Sequence, residues 1–309
     1  LKESITPNMS LPSSDPDLNR KEQTDEAVLS PWQDLVRRLL RHRLAMIGGV
    51  IILCFIVIAI IAPWITSYPY DQPSLVKEDT LQPPSAKHWF GTDDLGRDIF
   101  TRIVYGTRIS LWIGLFSVLG SIVVGTFLGT LAGYYGRWVD MVISRVFDII
   151  FAFPGILLAI AIVAVLKPSL FNALVAISII NVPTFGRLIR SRVLSLKSEE
   201  YIVAAQAIGM KNSRIIFRHI LPNTIAPIIV QGSLGIATAI LEAAALGFLG
   251  LGAQRPTPEW GLILADSRGY FSTAPWMVLF PGLAIMLTVL GFNLLGDGLR
   301  DVLDPKMRD

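Results

Sequence analysis

LAMIGGVIILCFIVIAIIAPWIT, residues 44–66, runs for 23 positions without one charged side chain. A helix crossing the hydrocarbon core of a bilayer needs about 20 predominantly apolar residues, so this stretch alone places the chain in a membrane. The rest of the composition agrees. Hydrophobic residues make up 52% and charged residues 17%, against about a quarter charged in an ordinary soluble domain. The single cysteine, Cys54, lies inside the quoted run, which excludes an intramolecular disulfide and a cysteine metal cluster.

Upstream of the run, residues 1–29 are polar and rich in Pro, Ser, Asp, Glu and Lys. They hold too few large apolar side chains to offset the entropy of ordering them, and a disordered tail is expected. Ser30 and Pro31 read as the cap and first residue of a helix. Over residues 30–43, Trp32, Leu35, Val36, Leu39 and Leu40 share a face while Arg37, Arg38, Arg41 and Arg43 accompany it. That pattern suits a helix lying on an anionic inner leaflet. No cleavable signal peptide is expected, because the apolar run starts far from the first residue and lacks a small-residue cleavage pattern.

Downstream, five more apolar stretches read as spans, at about 110–134, 141–166, 170–188, 224–246 and 277–296. Six helices in one membrane domain, all α, is the expected architecture. Residues 67–109 form an external loop and 297–309 a second tail. With the first tail inside, Arg137, Arg187, Arg190, Arg192, Lys197, Lys211, Arg214, Arg218, Arg300, Lys306 and Arg308 fall in cytoplasmic segments. Both termini are then cytoplasmic. Lys77, Lys87, Arg97, Arg102 and Arg108 stand in the external loop, where long segments translocate with little regard to charge. The basic residues therefore read as topology, and nucleic acid is not expected as a partner.

Between the fourth and fifth spans, inside the loop 190–223, stands SEEYIVAAQAIG (198–209) followed by MKNSRIIFRHILP (210–222). It reads as helix, glycine stop, helix, proline stop: Ser198 caps the first piece, Gly209 takes the left-handed conformation that ends it, and Asn212 or Ser213 starts the second. Ala204 and Ala205 lack bulk, so the first piece can seat closely in a groove of another protein, with Ile202, Ile208 and Ile215 as apolar contacts. A surface hairpin that only links two spans fits the same pattern. A DNA-reading helix-turn-helix fits its spacing loosely, and its place between two membrane spans argues against it.

Within the spans, Gly125, Gly129 and Gly133 recur every four residues on one face, as in close helix contacts; glycine is also simply common in membrane helices. Pro154, Pro183 and Pro281 mark expected kinks. Arg145 and Asp148 sit near the start of the third span, and Glu242 lies deep in the fifth. An ionisable residue at that depth is costly and a candidate for function, lining a water-filled path or bonding a neighbouring helix. In the external loop, Thr92 or Asp93 caps an amphipathic helix carrying Leu95, Ile99 and Ile103. The acidic cluster Asp93, Asp94 and Asp98 lacks the ligand spacing of a calcium loop, and no metal site is expected.

The segment 198–222 resembles the EAA coupling motif of ATP-binding-cassette importer permeases. Ala204, Ala205, Gly209, Leu221 and Pro222 occupy matching positions, with Glu200 and Tyr201 in the same helix; Val203 replaces the motif's Glu and His219 stands in place of its Ile. Gly91, Thr92, Asp93, Asp94, Gly96, Arg97 and Asp98, followed by Arg102, Gly106 and Ser110, are similar to the C-type permeases of dipeptide, oligopeptide and nickel importers. So are EAAALGFLGLG (242–252), PEWG (258–261) and NLLGDGLRDVLDP (293–305). The resemblance implies a type I importer permease fold in a bacterial inner membrane, paired with a second homologous permease. It also implies two cytoplasmic ATP-binding subunits docked on the loop and an external solute-binding protein that delivers the cargo.

The chain contains no Gly-x-x-x-x-Gly-Lys-Ser/Thr phosphate cradle, so ATP and Mg are expected on the partner subunits and no cofactor on this one. Catalytic residues are not expected either. His42, His88 and His219 are the only histidines; none forms a His-x-x-x-His pair, and no Gly-x-Ser-x-Gly turn occurs. A gradient-driven secondary transporter is the alternative, and the scarcity of deep charges weighs against it. Among solutes, di- or oligopeptides come ahead of nickel chelates.

Overall fold

The structure, a computed structural model, describes residues 31–74 and 76–303. The expected tail at 1–29, the Ser30 cap, and Lys306 and Arg308 lie outside them, as do the side chains of Trp32 and Leu35. The described residues form helices and connecting turns, with no strand.

Helix α1 (Pro31–Arg41) ends one residue before α2 (Arg43–Ile65). His42 makes the joint, its Nδ1 accepting from the Ala45 amide at 3.3 Å, with Nε2 lying 3.2 Å from Asp301 at the far end of the chain. Helix α3 (Ile99–Tyr135) is one rod of 37 residues. The amphipathic helix expected in the external loop and the span expected from 110 are therefore a single element, capped by Asp98 and not by Thr92 or Asp93. The polar residues before 110 do not stop the helix, because they are buried on its inner face: Thr101, Arg102, Thr107 and Ser110.

The stretch expected as a third straight span is broken. It forms α4 (Arg137–Phe151) and α5 (Gly155–Leu166), bent by 91°. Pro154 has no amide to donate and disfavours helical geometry at Phe153, which turns the chain although the apolar run continues. Pro183 and Pro281 lie inside unbroken helices, α6 (Leu170–Lys197) and the last helix.

After α6 come two short pieces, α7 (Glu200–Ala207) and α8 (Asn212–Ile215), then a π-turn at Ile216–Ile220, a 3-10 turn at Leu221–Thr224 and α9 (Ile225–Phe248). The chain closes with α10 (Trp260–Ser267) and α11 (Trp276–Leu303). Helix α11 runs on through 297–303, which the sequence places in a tail.

Among the described residues five helices are long and apolar enough to cross a membrane, or six with the bent pair α4–α5 as one span. At the centre α3 lies along α6, while α2 and α9 pack on α11. Where α3 meets α6, Gly125, Gly129 and Gly133 lie against backbone: a Cβ at Gly125 would come within 2.8 Å of the Val182 carbonyl oxygen, and one at Gly133 within 2.9 Å of that of Arg190. Lipid offers no hydrophobic drive between helices, so such close approach supplies the attraction.

Candidate functional site

Residues 198–222 hang at one end of the bundle on a small apolar core of their own. Ile202, Ala205, Ile215, Ile216 and Ile220 are buried against Tyr134 of α3 and Ile189, Val193 and Leu196 of α6. Tyr134 adds a hydrogen bond to Asn212 Oδ1 at 2.9 Å, and Lys197 donates to the Tyr134 carbonyl at 2.8 Å. The segment is thus clamped to the spans, so a push on it is delivered to α3 and α6.

Gly209 has φ +75°, and behind it the Met210 amide returns to the Ala205 carbonyl at 3.0 Å. That is the left-handed stop which satisfies the last carbonyls of a helix. Ser198 does not cap α7; Glu199 stands at the cap, and the Ser198 hydroxyl donates to Ser195 O at 2.8 Å instead. The second piece starts at Asn212, one of the two starts its sequence allows, but Lys211 stands at the cap and no side chain caps it.

The outward surface differs from the one expected. Ile202, Ile215 and Ala205 face the protein's own spans and are closed to any partner. Glu200, Tyr201, Val203 and Ala204 are exposed, and Leu221 and Pro222 close the segment at its return to α9. Ile208 and Phe217 stand 78% and 71% exposed. With Gly209, Lys211, Arg214 and Arg218 they line an open groove of about 950 Å3. Phe217 escapes sequence reading because a phenylalanine at that spacing looks like core; its flanking by Arg214 and Arg218 was the available signal.

The external family motif is a buried knot at the other end of the bundle. Asp98 Oδ2 accepts from the Thr101 amide at 2.8 Å, and Oδ1 lies 2.9 Å from His88 Nδ1. Asp93 takes the Leu95 and Arg97 amides on one oxygen, at 3.0 and 2.9 Å, and Arg97 Nε on the other at 2.7 Å. Gly91 and Gly96 both have positive φ. Thr92 accepts from Gln82 and gives its carbonyl to the Trp276 indole. From Arg97 the network continues to Asp266 at 3.9 Å, which Arg255 also holds. Asp94 is pushed above the ordinary carboxylate range by burial and by Asp93 beside it. Among the described residues no group of acids and histidines has the geometry of a metal site.

Glu259, which the sequence offers only as part of the PEWG stretch, is a member of this end. It caps α10, with Oε1 and Oε2 accepting from Gly261 and Leu262 at 2.8 Å each. It is 2% exposed, and burial pushes its carboxyl up to about 7.

Glu242, in α9, accepts from Asn181 Nδ2 of α6 at 2.9 Å. Asp148 pairs with Arg187 at 2.8 Å, and Arg190 with Asp140. These pairs tie α4 to α6 close to the 198–222 segment.

The family model described as the binding-protein-dependent transport system inner membrane component matches residues 125–309. The N-terminal TM domain of oligopeptide transport permease C matches 30–84. A dipeptide transport system permease protein of Alkalihalophilus pseudofirmus is 62% identical over 298 residues, 96% of this chain and 97% of that protein. A glutathione transport system permease protein of Pectobacterium atrosepticum is 50% identical, covering 92% of this chain and 94% of that one. Among solved structures, the methionine ABC transporter MetNI in an inward-facing conformation aligns with a TM-score of 0.55 at 18% identity, over 67% of this chain and 98% of that one. That likeness is one of fold, the type I importer permease fold. The chain belongs to the family of inner membrane components of binding-protein-dependent transport systems.

Proposed function

We propose that the chain forms half of the translocation path of an importer for dipeptides and related short peptides. A second homologous permease supplies the other half. Two cytoplasmic ATP-binding subunits drive the cycle, and an external binding protein hands over the solute. Both termini face the cytoplasm, ATP and Mg stay on the partner subunits, and this chain carries out no chemistry of its own.

The observation that carries the reading is the 198–222 segment, with its exposed Ile208 and Phe217, its basic rim, and its clamp onto α3 and α6. An apolar tip with cations around it suits a cleft with an apolar floor and acidic edges on the ATPase. The dipeptide permease relative supports the choice of solute.

Purification of the tagged chain from its native membrane, with co-purifying proteins identified by mass spectrometry, tests the assembly. A second permease and ATPases should be recovered, and the ATPases should be lost when residues 198–222 are deleted. Recovery of a homo-oligomer alone would move the reading to a gradient-driven transporter. Competition of labelled dipeptide uptake by glutathione separates the two solutes named for the relatives.

A further inference from the structure

The outward faces of the long helices are of two kinds. On α3 the exposed residues include Trp112, Phe116, Leu119, Val123 and Phe127, the side chains a lipid tail meets. Helices α6 and α9 expose apolar side chains too, Ile179 and Leu241 among them, but each also carries a polar stripe: Asn181, Thr184 and Ser191 on one, and Gln231, Thr238 and Glu242 on the other, all half-buried or exposed. Polar side chains at membrane depth face a bundle interior or a water-filled path rather than lipid.

The two stripes meet where Asn181 reaches Glu242. Glu242 lies six residues before the end of α9 at Phe248, about 9 Å inside at 1.5 Å per residue. Asn181 is 11 residues beyond the start of α6 at Leu170, about 16 Å inside. Both belong to the half of the membrane remote from the 198–222 segment.

The hydrogen bonding at this point is one-sided. Asn181 Nδ2 donates to the Ile177 carbonyl at 3.0 Å and to Glu242 Oε2 at 2.9 Å, so both amide protons are engaged. What remains is Glu242 Oε1 and Asn181 Oδ1, neither holding a hydrogen-bond partner among the described residues nor wholly buried. Both are acceptors and one carries charge. A site built only of acceptors takes a donor cation, and a primary ammonium offers three N–H groups to it.

We infer that Glu242 and Asn181 form a way-station in the path for the protonated α-amino group of the travelling peptide. The inference rests on the importer reading and adds a residue-level subsite to it. Charge at this point lets the ammonium shed water without crossing the apolar core unpaired, and a single carboxylate holds it loosely enough to release it.

The test uses the complete importer in proteoliposomes, with the binding protein loaded with a radiolabelled dipeptide bearing a free amino group. Glu242→Gln keeps the shape of the side chain and an oxygen for Asn181, and removes only the charge. It should slow uptake per ATP hydrolysed by about tenfold or more, the scale of one charge-assisted hydrogen bond. Glu242→Asp, which restores the charge, should recover a large part of the loss. Parental uptake by Glu242→Gln overturns the subsite, as does equal failure of Glu242→Asp, which would assign the position to packing. Loss of the second permease from purified Glu242→Gln likewise makes it an assembly contact. A parent importer that moves no dipeptide overturns the function itself, a result separable from all of these.

Discussion

Gly209 stands at φ +75° with nothing within 4 Å of where a side chain would begin, so its identity is set by backbone geometry and not by space. Gly209→Val puts a β-branched residue into the left-handed region, at a cost of about 1–2 kcal/mol. The stop would relax toward right-handed geometry, and the groove formed by Ile208 and Phe217 would lose its shape. Uptake per ATP hydrolysed should fall several-fold with little change in thermal stability; unchanged coupling in reconstituted vesicles would refute this account of the stop. Glu259 makes a second prediction. Its folded carboxyl is raised to about 7 from an ordinary 4.5, so across that window the unfolded chain is ionised while the folded one still holds its proton. Stability from this group is therefore full below about pH 4.5 and is lost as pH rises through 7. Glu259→Gln should flatten the fall in melting temperature over that range in detergent. It should also lower the melting temperature at pH 5, because its NH2 group replaces one of the two acceptors that cap α10.

Among the elements, the seam between α2 and α11 gives the sharpest contrast. A Cβ on Gly48 would lie 2.6 Å from the Gly291 carbonyl oxygen and from the Leu295 amide, whereas one on Gly49 meets nothing within 4 Å. Gly48→Ala must therefore push α11 away and should destabilise by about 1–3 kcal/mol, while Gly49→Ala should be neutral or slightly stabilising. Melting curves of the two purified variants read the difference directly, and equal curves would refute the seam. Neighbouring glycines with opposite roles cannot be told apart in the sequence, since which one faces α11 depends on how the helices rotate. The same limit explains the other departures. The glycine stop at 209 was legible because a left-handed residue between two polar-ended pieces is a local matter. The 91° bend at Pro154 was not, because apolar residues run on across it and hydropathy carries no direction. The continuity of α3 from Ile99 into the span was hidden because Arg102, Thr107 and Ser110 look like residues outside the membrane until the packing that buries them is known. Glu259, a lone acid after a proline, gave no signal of burial.

For the molecule as a whole, the distribution of charge becomes clearer once ion pairs are drawn. Of the basic residues in the loop 67–109, which stand against the expected orientation, Lys87 pairs with Asp79 and Arg97 with Asp93, and at the same end Arg255 pairs with Asp266. Arg102 lies 3.8 Å from Asp93, and Arg108 donates to the Ala59 and Ile60 carbonyls at the end of α2. Asp79 is correspondingly held below the usual carboxylate range by its bonds to Ser74 and Lys87, and Lys87 is raised by Asp79. On the 198–222 segment, Lys211, Arg214 and Arg218 are exposed and outside every ion pair among the described residues. The orientation rule counts Lys and Arg of short segments close to the spans and gives acids and long loops little weight, so Lys211, Arg214 and Arg218 favour that segment inside. Cys54 is the only cysteine, and a Cys54→Ala background makes the orientation measurable with one new thiol at a time. Lys87→Cys should react with a membrane-impermeant maleimide in intact cells stripped of their wall. Lys211→Cys should react only after permeabilisation. The reverse pattern would put the 198–222 segment outside, out of reach of any cytoplasmic ATPase, and the coupling role would fall with it.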